Sequence, residues 1–342
     1  MPVTNSLYFT KQNIEENKFS ASPALAEQAV YCLELVAELN KAGLNFQFKG
    51  GNSLLLVLEK PERFSIDVDI ATDCTREDIE QCLDYIIKEY ITFTKWEKRQ
   101  HKTKPWIPLS SYYLFYPSLY DSSETNIMLD AQLRRSPYRT GFKKVSSGNL
   151  YRSDIETEIP YPESIIGDKL LTLGPSTLGI PIGKGKEAQR LKHVFDIARL
   201  LRTSPKVSLI RESFNACLHH ENEIQGTTIP VRAIVDDTVE FCRSVTHHDS
   251  FPSGQQFTGV LQENVAGLEP FAKHLFRSGY NWIDLQRDTA LVALCITAVG
   301  LEHLSDSDFC SMLLKNWKNS NKSTILKQNP EAGYYWDCIS QL

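Results

Sequence analysis

Hydrophobic positions in the first part of the chain switch between two spacings. Over residues 22–42, Leu25, Ala29, Val30, Leu33, Val36, Ala37 and Leu39 recur at helical intervals, with Ser22-Pro23 as a start signal and Gly43 as a stop, which predicts an amphipathic helix. Residues 45–49 alternate like a short strand, Gly50-Gly51 breaks the pattern, and residues 53–59 form an apolar run suited to a helix. Alternation returns over residues 65–71, 92–98, 111–116 and 126–134, with a helical run at 76–89 among them. This half therefore predicts a mixed β-sheet flanked by helices. Residues 136–149 read as loop. From residue 163 onward helical periodicity dominates, as in 187–202 and 231–245, with a Gly/Pro-rich interruption at 174–185. The expected fold class is α+β, with a sheet-bearing domain at 1–150 and a mainly α-helical domain at 151–342.

Composition changes this picture little. A length of 342 residues makes two domains the natural expectation, and 42% hydrophobic with 23% charged residues is ordinary for a folded soluble chain. A net charge of −5 argues against a surface that coats nucleic acid as a whole, leaving a local basic lip around Lys184, Lys186, Arg190 and Lys192 as a candidate for contact with a polyanion. The eight cysteines form no C-x-x-C pair, the pattern of reduced thiols. Residues 1–18 are polar and lack the apolar core of a signal peptide, while the apolar stretch 289–301 is too short for a bilayer span and reads as a buried helix. A cytoplasmic location without membrane association is expected.

The chemistry concentrates in two short segments. In Phe48-Lys49-Gly50-Gly51-Asn52-Ser53, paired glycines allow close backbone approach to a bulky anion, and the following helix start and the Ser53 hydroxyl can hold phosphate oxygens. In Arg63-Phe64-Ser65-Ile66-Asp67-Val68-Asp69-Ile70, Asp67 and Asp69 project from one strand face and Ile66, Val68 and Ile70 from the other. Two adjacent carboxylates repel one another unless a divalent cation neutralises them, and Mg²⁺ is the usual ion where substrate phosphates complete the coordination. Asp130 lies on the polar face of another predicted strand and is a third carboxylate for the same ion, or the proton acceptor; pairing with Arg134 or Arg135 is the alternative reading. His219-His220 and His247-His248 lack metal-ligand spacing and read as surface residues; Tyr112, Tyr113, Phe115 and Tyr116 read as sheet packing.

These two segments together resemble the AbiEii/AbiGii toxin family of nucleotidyltransferases, within the polymerase-β-like superfamily. The resemblance implies that Gly50, Gly51, Ser53 and Ser65 contact the nucleotide and that Asp67, Asp69 and Asp130 carry the metal, Mg²⁺ with Mn²⁺ as a substitute. A later family element, an acid and lysine opening one helix and an R-D-x-x-D-like element on the next, has counterparts in Asp168-Lys169 and in Arg190 to Asp196. It implies that Lys169 reaches the triphosphate and that Asp196 acts as a base or positioning residue. Lys192-His193 stands where the family has Arg-Asp, and Asn52 where it often has threonine, so a role for His193 stays open. The implied function is transfer of a nucleoside monophosphate from an NTP to an acceptor hydroxyl of RNA, such as tRNA. The implied setting is a toxin–antitoxin or abortive-infection phage-defence pair with a separately encoded antitoxin, the helical domain completing the nucleotide cleft. Small-molecule nucleotidylation of the antibiotic-modifying type and a noncatalytic NTP-binding interaction protein are the alternatives.

Overall fold

The computed structural model describes residues 2–99, 108–246, 259–314 and 328–342, which divide into two compact units. The first comprises Met1–Ser136, Thr140–Tyr161 and Lys273–Ser278; the second comprises Pro137–Arg139, Pro162–Ala272 and Gly279–Leu342. His247-His248 lies outside the described residues.

The first unit opens with α1 (Lys11–Asn17) and α2 (Pro23–Lys41), then β1 (Gln47–Lys49), α3 (Gly50–Val57), β2 (Asp67–Ala71), α4 (Arg76–Glu89) and β3 (Lys95–Arg99). Strands β4 (Leu109–Pro117), β5 (Glu124–Gln132), β6 (Thr140–Ser147) and β7 (Tyr151–Pro160) complete it. The seven strands form one sheet of order β3-β4-β5-β2-β1-β7-β6, mixed as expected: β2 runs parallel to β5 and β1 to β7, the remaining pairs being antiparallel. Helix α2 starts as its sequence predicts, with Ser22 accepting the Leu25 N–H and Pro23 in the first turn, where a missing N–H costs nothing. Its apolar residues, with Val68, Ile70, Leu114, Ile127 and Leu129 from alternate strand positions, form the core of this unit.

The segment expected to be loop, 136–149, contains β6, and β7 follows it, so the expected boundary at residue 150 falls between two strands of the same sheet. The hydropathy pattern conceals this hairpin because β6 is an edge strand. Phe142, Lys143 and Lys144 face solvent, and Lys144 pairs with Asp154 of β7 at 2.7 Å.

A further piece of this unit comes from far along the chain. Phe64 N–H donates to the His274 carbonyl and Phe276 N–H to the Glu62 carbonyl, at 3.0 and 2.8 Å, with Arg63 bridged to Leu275. The Phe276 ring packs against both Phe64 and Phe19 with centroids 4.4 Å apart. This strap fixes the stretch that enters β2.

The second unit is helical: α5 (Pro162–Leu170), α6 (Glu187–Leu201), α7 (Val207–Gln225), α8 (Val231–Thr246), α9 (Val260–Ala272), α10 (Trp282–Gly300), α11 (Asp306–Leu314) and α12 (Pro330–Ser340). Helix α10, which contains the apolar stretch 289–301 up to Gly300, is buried along most of its length against α8 and α12. Arg211 closes its end by donating to the carbonyls of Ala298, Val299 and Leu301, groups that a helix leaves unsatisfied. No helix among the described residues is long and apolar enough to cross a membrane. His220 is buried rather than at the surface, because α7 turns it inward while the adjacent His219 faces solvent.

Candidate active site

Strand β1 ends at Lys49, and Gly50 opens α3 with φ +72°, a left-handed conformation that glycine adopts without a steric penalty. A Cβ at Gly50 would overlap the Asp69 carboxylate, so the absent side chain is what lets this acid lie against the glycine turn. A Cβ on Gly51 would stand 2.7 Å from both the Arg63 guanidinium and the Ser65 hydroxyl. The two glycines thus bring both sequence segments together at the start of α3. The N-cap residue Lys49 makes no side-chain cap bond, and the first N–H groups of a helix are a favourable place for an anion.

The sheet register places the acids. Lys49 is opposite Asp69 across the antiparallel β1–β2 pair, and Asp69 is opposite Asp130 across the parallel β2–β5 pair. Directly opposed residues share a face, and Asp67 lies on it two positions away; Val68 and Ile70 point to the core. Asp130 therefore stands beside the D-x-D pair on a neighbouring strand. It accepts a hydrogen bond from Ser111, its opposite on β4, and Arg135 forms its ion pair with Glu158 instead. The three acids are partly exposed, unlike the residues that alternate with them.

Several residues of this face do not stand out by their sequence pattern. The Lys49 ammonium donates to Gln132 and Ser136 at 3.2 and 3.4 Å. Buried Arg63 donates to the Phe64 carbonyl at 3.0 Å while flanking Gly51. Asn52, a departure from the family pattern, donates to the Asp67 carbonyl at 2.8 Å and so ties α3 to β2. Ser53 is fully buried, and its hydroxyl donates to the Gly50 carbonyl at 2.8 Å, which stabilises the turn from within. Beneath the site, burial first and the Asp67 charge second push the Cys32 thiol well above its ordinary pKa.

The acids of this face offer carboxylate oxygens, donors that suit a hard divalent cation, and the Lys49 ammonium shares the face with them. Among the described residues no group of three or more His, Cys, Asp or Glu side chains is gathered closely enough to hold a metal ion. Two carboxylates completed by substrate phosphates is nonetheless a composition Mg²⁺ commonly takes.

The helical unit carries the other residues singled out in the sequence. The Lys169 ammonium lies 3.0 Å from the Asp196 carboxylate and 3.3 Å from His193 Nδ1, with Lys169 and Asp196 both buried. His193 and Asp196 are one helical turn apart on α6, which explains their shared partner. Asp168 and Lys169 occupy the last turn of α5 rather than opening a helix, because Pro162 sets its start upstream. Arg190 does not join a basic lip: it is fully buried, paired with Glu263 at 2.9 Å, and donates to the Ile180 carbonyl at 2.7 Å. Lys184 and Lys186 remain exposed.

A mixed sheet with a glycine turn set against a two-aspartate strand is the arrangement that this chain presents. Residues 34–263 match the family described as nucleotidyl transferase AbiEii toxin, type IV toxin–antitoxin system. The chain belongs to that family, and it is a nucleotidyltransferase of a toxin–antitoxin system. JHP933 from Helicobacter pylori superposes with a TM-score of 0.43 at 14% identity, covering 80% of this chain and 89% of that one. A candidate nucleotidyltransferase from H. pylori gives a TM-score of 0.44 at 14% identity over 82% and 97% of the two chains. A nucleotidyltransferase-like antigen from Paracoccidioides brasiliensis gives 0.35 at 13% identity over 51% and 76%. No curated protein matches the chain in sequence.

Proposed function

We propose that the acidic face of the sheet moves a nucleoside monophosphate from an NTP to an acceptor hydroxyl on RNA, and that this is the toxic activity of the pair. The observation that carries the proposal is the alignment of Asp69 with Asp130 across β2 and β5, with Gly50 cleared of a side chain against the Asp69 carboxylate. The α3 N–H groups and the Ser65 hydroxyl beside Gly51 hold phosphate oxygens, and Gly50 and Gly51 give the backbone its close approach. Ser53 supports the turn through its bond to Gly50. Asp67 and Asp69 hold Mg²⁺ or Mn²⁺, which when bound offsets their mutual repulsion and polarises the phosphate oxygens.

Asp130, oriented by Ser111, accepts the proton of the attacking hydroxyl. The acceptor oxygen bonds to the α-phosphorus, the bond from that phosphorus to the bridging oxygen breaks, and pyrophosphate leaves with the electron pair. Lys169 and Asp196, a buried ion pair of the helical unit with His193 beside it, take no part in the transfer step. The reaction belongs in the cytoplasm, where NTP, RNA and a separately encoded antitoxin are available.

The test follows each labelled NTP with Mg²⁺ and total cellular RNA, comparing the wild type with Asp69→Asn. Pyrophosphate release with label on an RNA band, both lost in the variant, is the expected result. Label on a small hydroxylated acceptor with none on RNA would refute the RNA assignment, and tight NTP binding without pyrophosphate release would refute turnover.

A further inference from the structure

Helix α2 carries three buried glutamates, and their surroundings differ. Glu34 accepts from Thr4 and Tyr151, each at 2.6 Å, and Glu38 accepts from Thr92 at 2.5 Å. Glu27, about two to three turns nearer the start of the helix, lines a cavity of about 400 Å³ between that start and the turn joining β4 to β5. It accepts the Leu119 N–H at 2.5 Å and the Ser118 hydroxyl at 3.2 Å, and no ion pair to it occurs among the described residues. A buried carboxylate without a counter-cation is an unfavourable arrangement that a cationic ligand relieves.

Two further features point into the same space. Tyr116 lines the cavity and is fully buried, and its hydroxyl makes no hydrogen bond of ordinary geometry, with the Thr125 side chain beside it on the paired strand. Burial first, and the Glu27 charge second, hold that hydroxyl in its protonated form, where its oxygen accepts from an N–H donor. Asp121 stands at the rim close enough for its charge to add to the raising of the Glu27 pKa, which burial dominates. The remaining polar lining consists of hydroxyls and the Gln28 amide, and no lysine, arginine or histidine lines the cavity. The Tyr120 wall already receives an ammonium: Lys11 donates to its carbonyl at 3.1 Å and lies 5.6 Å from its ring centroid.

We propose that this cavity is a binding site for a small alkyl diammonium ion, one ammonium reaching Glu27 and the Tyr116 hydroxyl and the other meeting Asp121 at the rim. The site lies on the α2 side of the sheet and uses none of the residues assigned to nucleotidyl transfer.

Isothermal titration of the full chain with 1,4-diaminobutane tests it, with 1-aminobutane and NaCl at matched ionic strength as references. The expected result is saturable diamine binding, tighter than the monoamine, and weakened about tenfold or more in Glu27→Gln, which keeps an acceptor for the Leu119 N–H. Asp121→Asn, a change at an exposed turn, should bring diamine affinity down to that of the monoamine while the monoamine is unaffected. Diamine heats equal to those of NaCl, or undiminished affinity in a folded Asp121→Asn variant, would overturn the proposal. Pyrophosphate release by both variants should match the wild type, separating failure here from failure of the catalytic reading.

Discussion

The two constellations of ionisable groups in this protein are built on opposite principles. In the sheet unit, Asp67, Asp69 and Asp130 share a face by strand register, three like charges in a partly exposed setting. In the helical unit, Lys169 and Asp196 are buried opposite charges 3.0 Å apart. The first sets like charges side by side, with Lys49 opposite Asp69 on the neighbouring strand; the second pairs opposite charges and fails when one member is removed. The same residue types therefore stand in two different settings, and the difference lies in which charges the fold brings beside them.

The sharpest way to break this comparison is Asp196→Ala. It leaves a buried lysine without its carboxylate and should lower the unfolding free energy by about 3–5 kcal/mol, measured by urea denaturation. Asp196→Leu combined with Lys169→Met should recover most of that loss. If the single variant is as stable as the wild type, the pair is not structural. Asp69→Asn makes a different demand: pyrophosphate release should fall by about 10²–10³-fold, with thermal stability close to that of the wild type because the acid is partly exposed. A loss of stability instead would place Asp69 in the structural class.

Gly50→Ala tests the contact between the turn and the acid. The left-handed φ should cost about 1–2 kcal/mol, and displacement of the Asp69 carboxylate should reduce the transfer rate by about tenfold or more, read from single-turnover kinetics. The smallest effect concerns Glu158 on the same sheet. Burial pushes its pKa up, but hydrogen bonds from Arg135 and Thr140 outweigh this and leave it below the usual 4.5. A depressed folded pKa contributes stability that is present above about 4.5 and is lost as pH falls through the folded value. Glu158→Gln should therefore flatten the acid side of the stability profile by about 1 kcal/mol or less, in urea melts from pH 7 downward.

Much of the site is legible in the amino-acid sequence, because its signals are local. Period-two alternation puts Asp67 and Asp69 on one face and Val68 and Ile70 on the other, and the paired glycines mark a turn before a helix. The start and stop of α2 are equally local, resting on Ser22-Pro23 and Gly43. The hairpin of β6 and β7 is not legible, since an edge strand with Lys143 and Lys144 outward has no apolar period to display. Nor is Arg190 readable as a buried residue: a basic side chain near two lysines looks solvated until Glu263, more than seventy positions away, is brought to it.

The sequence by itself determined where the glycine turn and the two-aspartate strand fall and which face each acid takes, because backbone geometry within a strand or turn follows from neighbouring residues alone. Only the tertiary structure decided that Asp130 stands opposite Asp69, that Ser111 orients it, that the strap at Lys273–Ser278 holds the approach to β2, and that Lys169 meets Asp196. Those pairings depend on sheet order and helix packing, which are set by burial of the whole apolar surface at once and leave no mark at any single position.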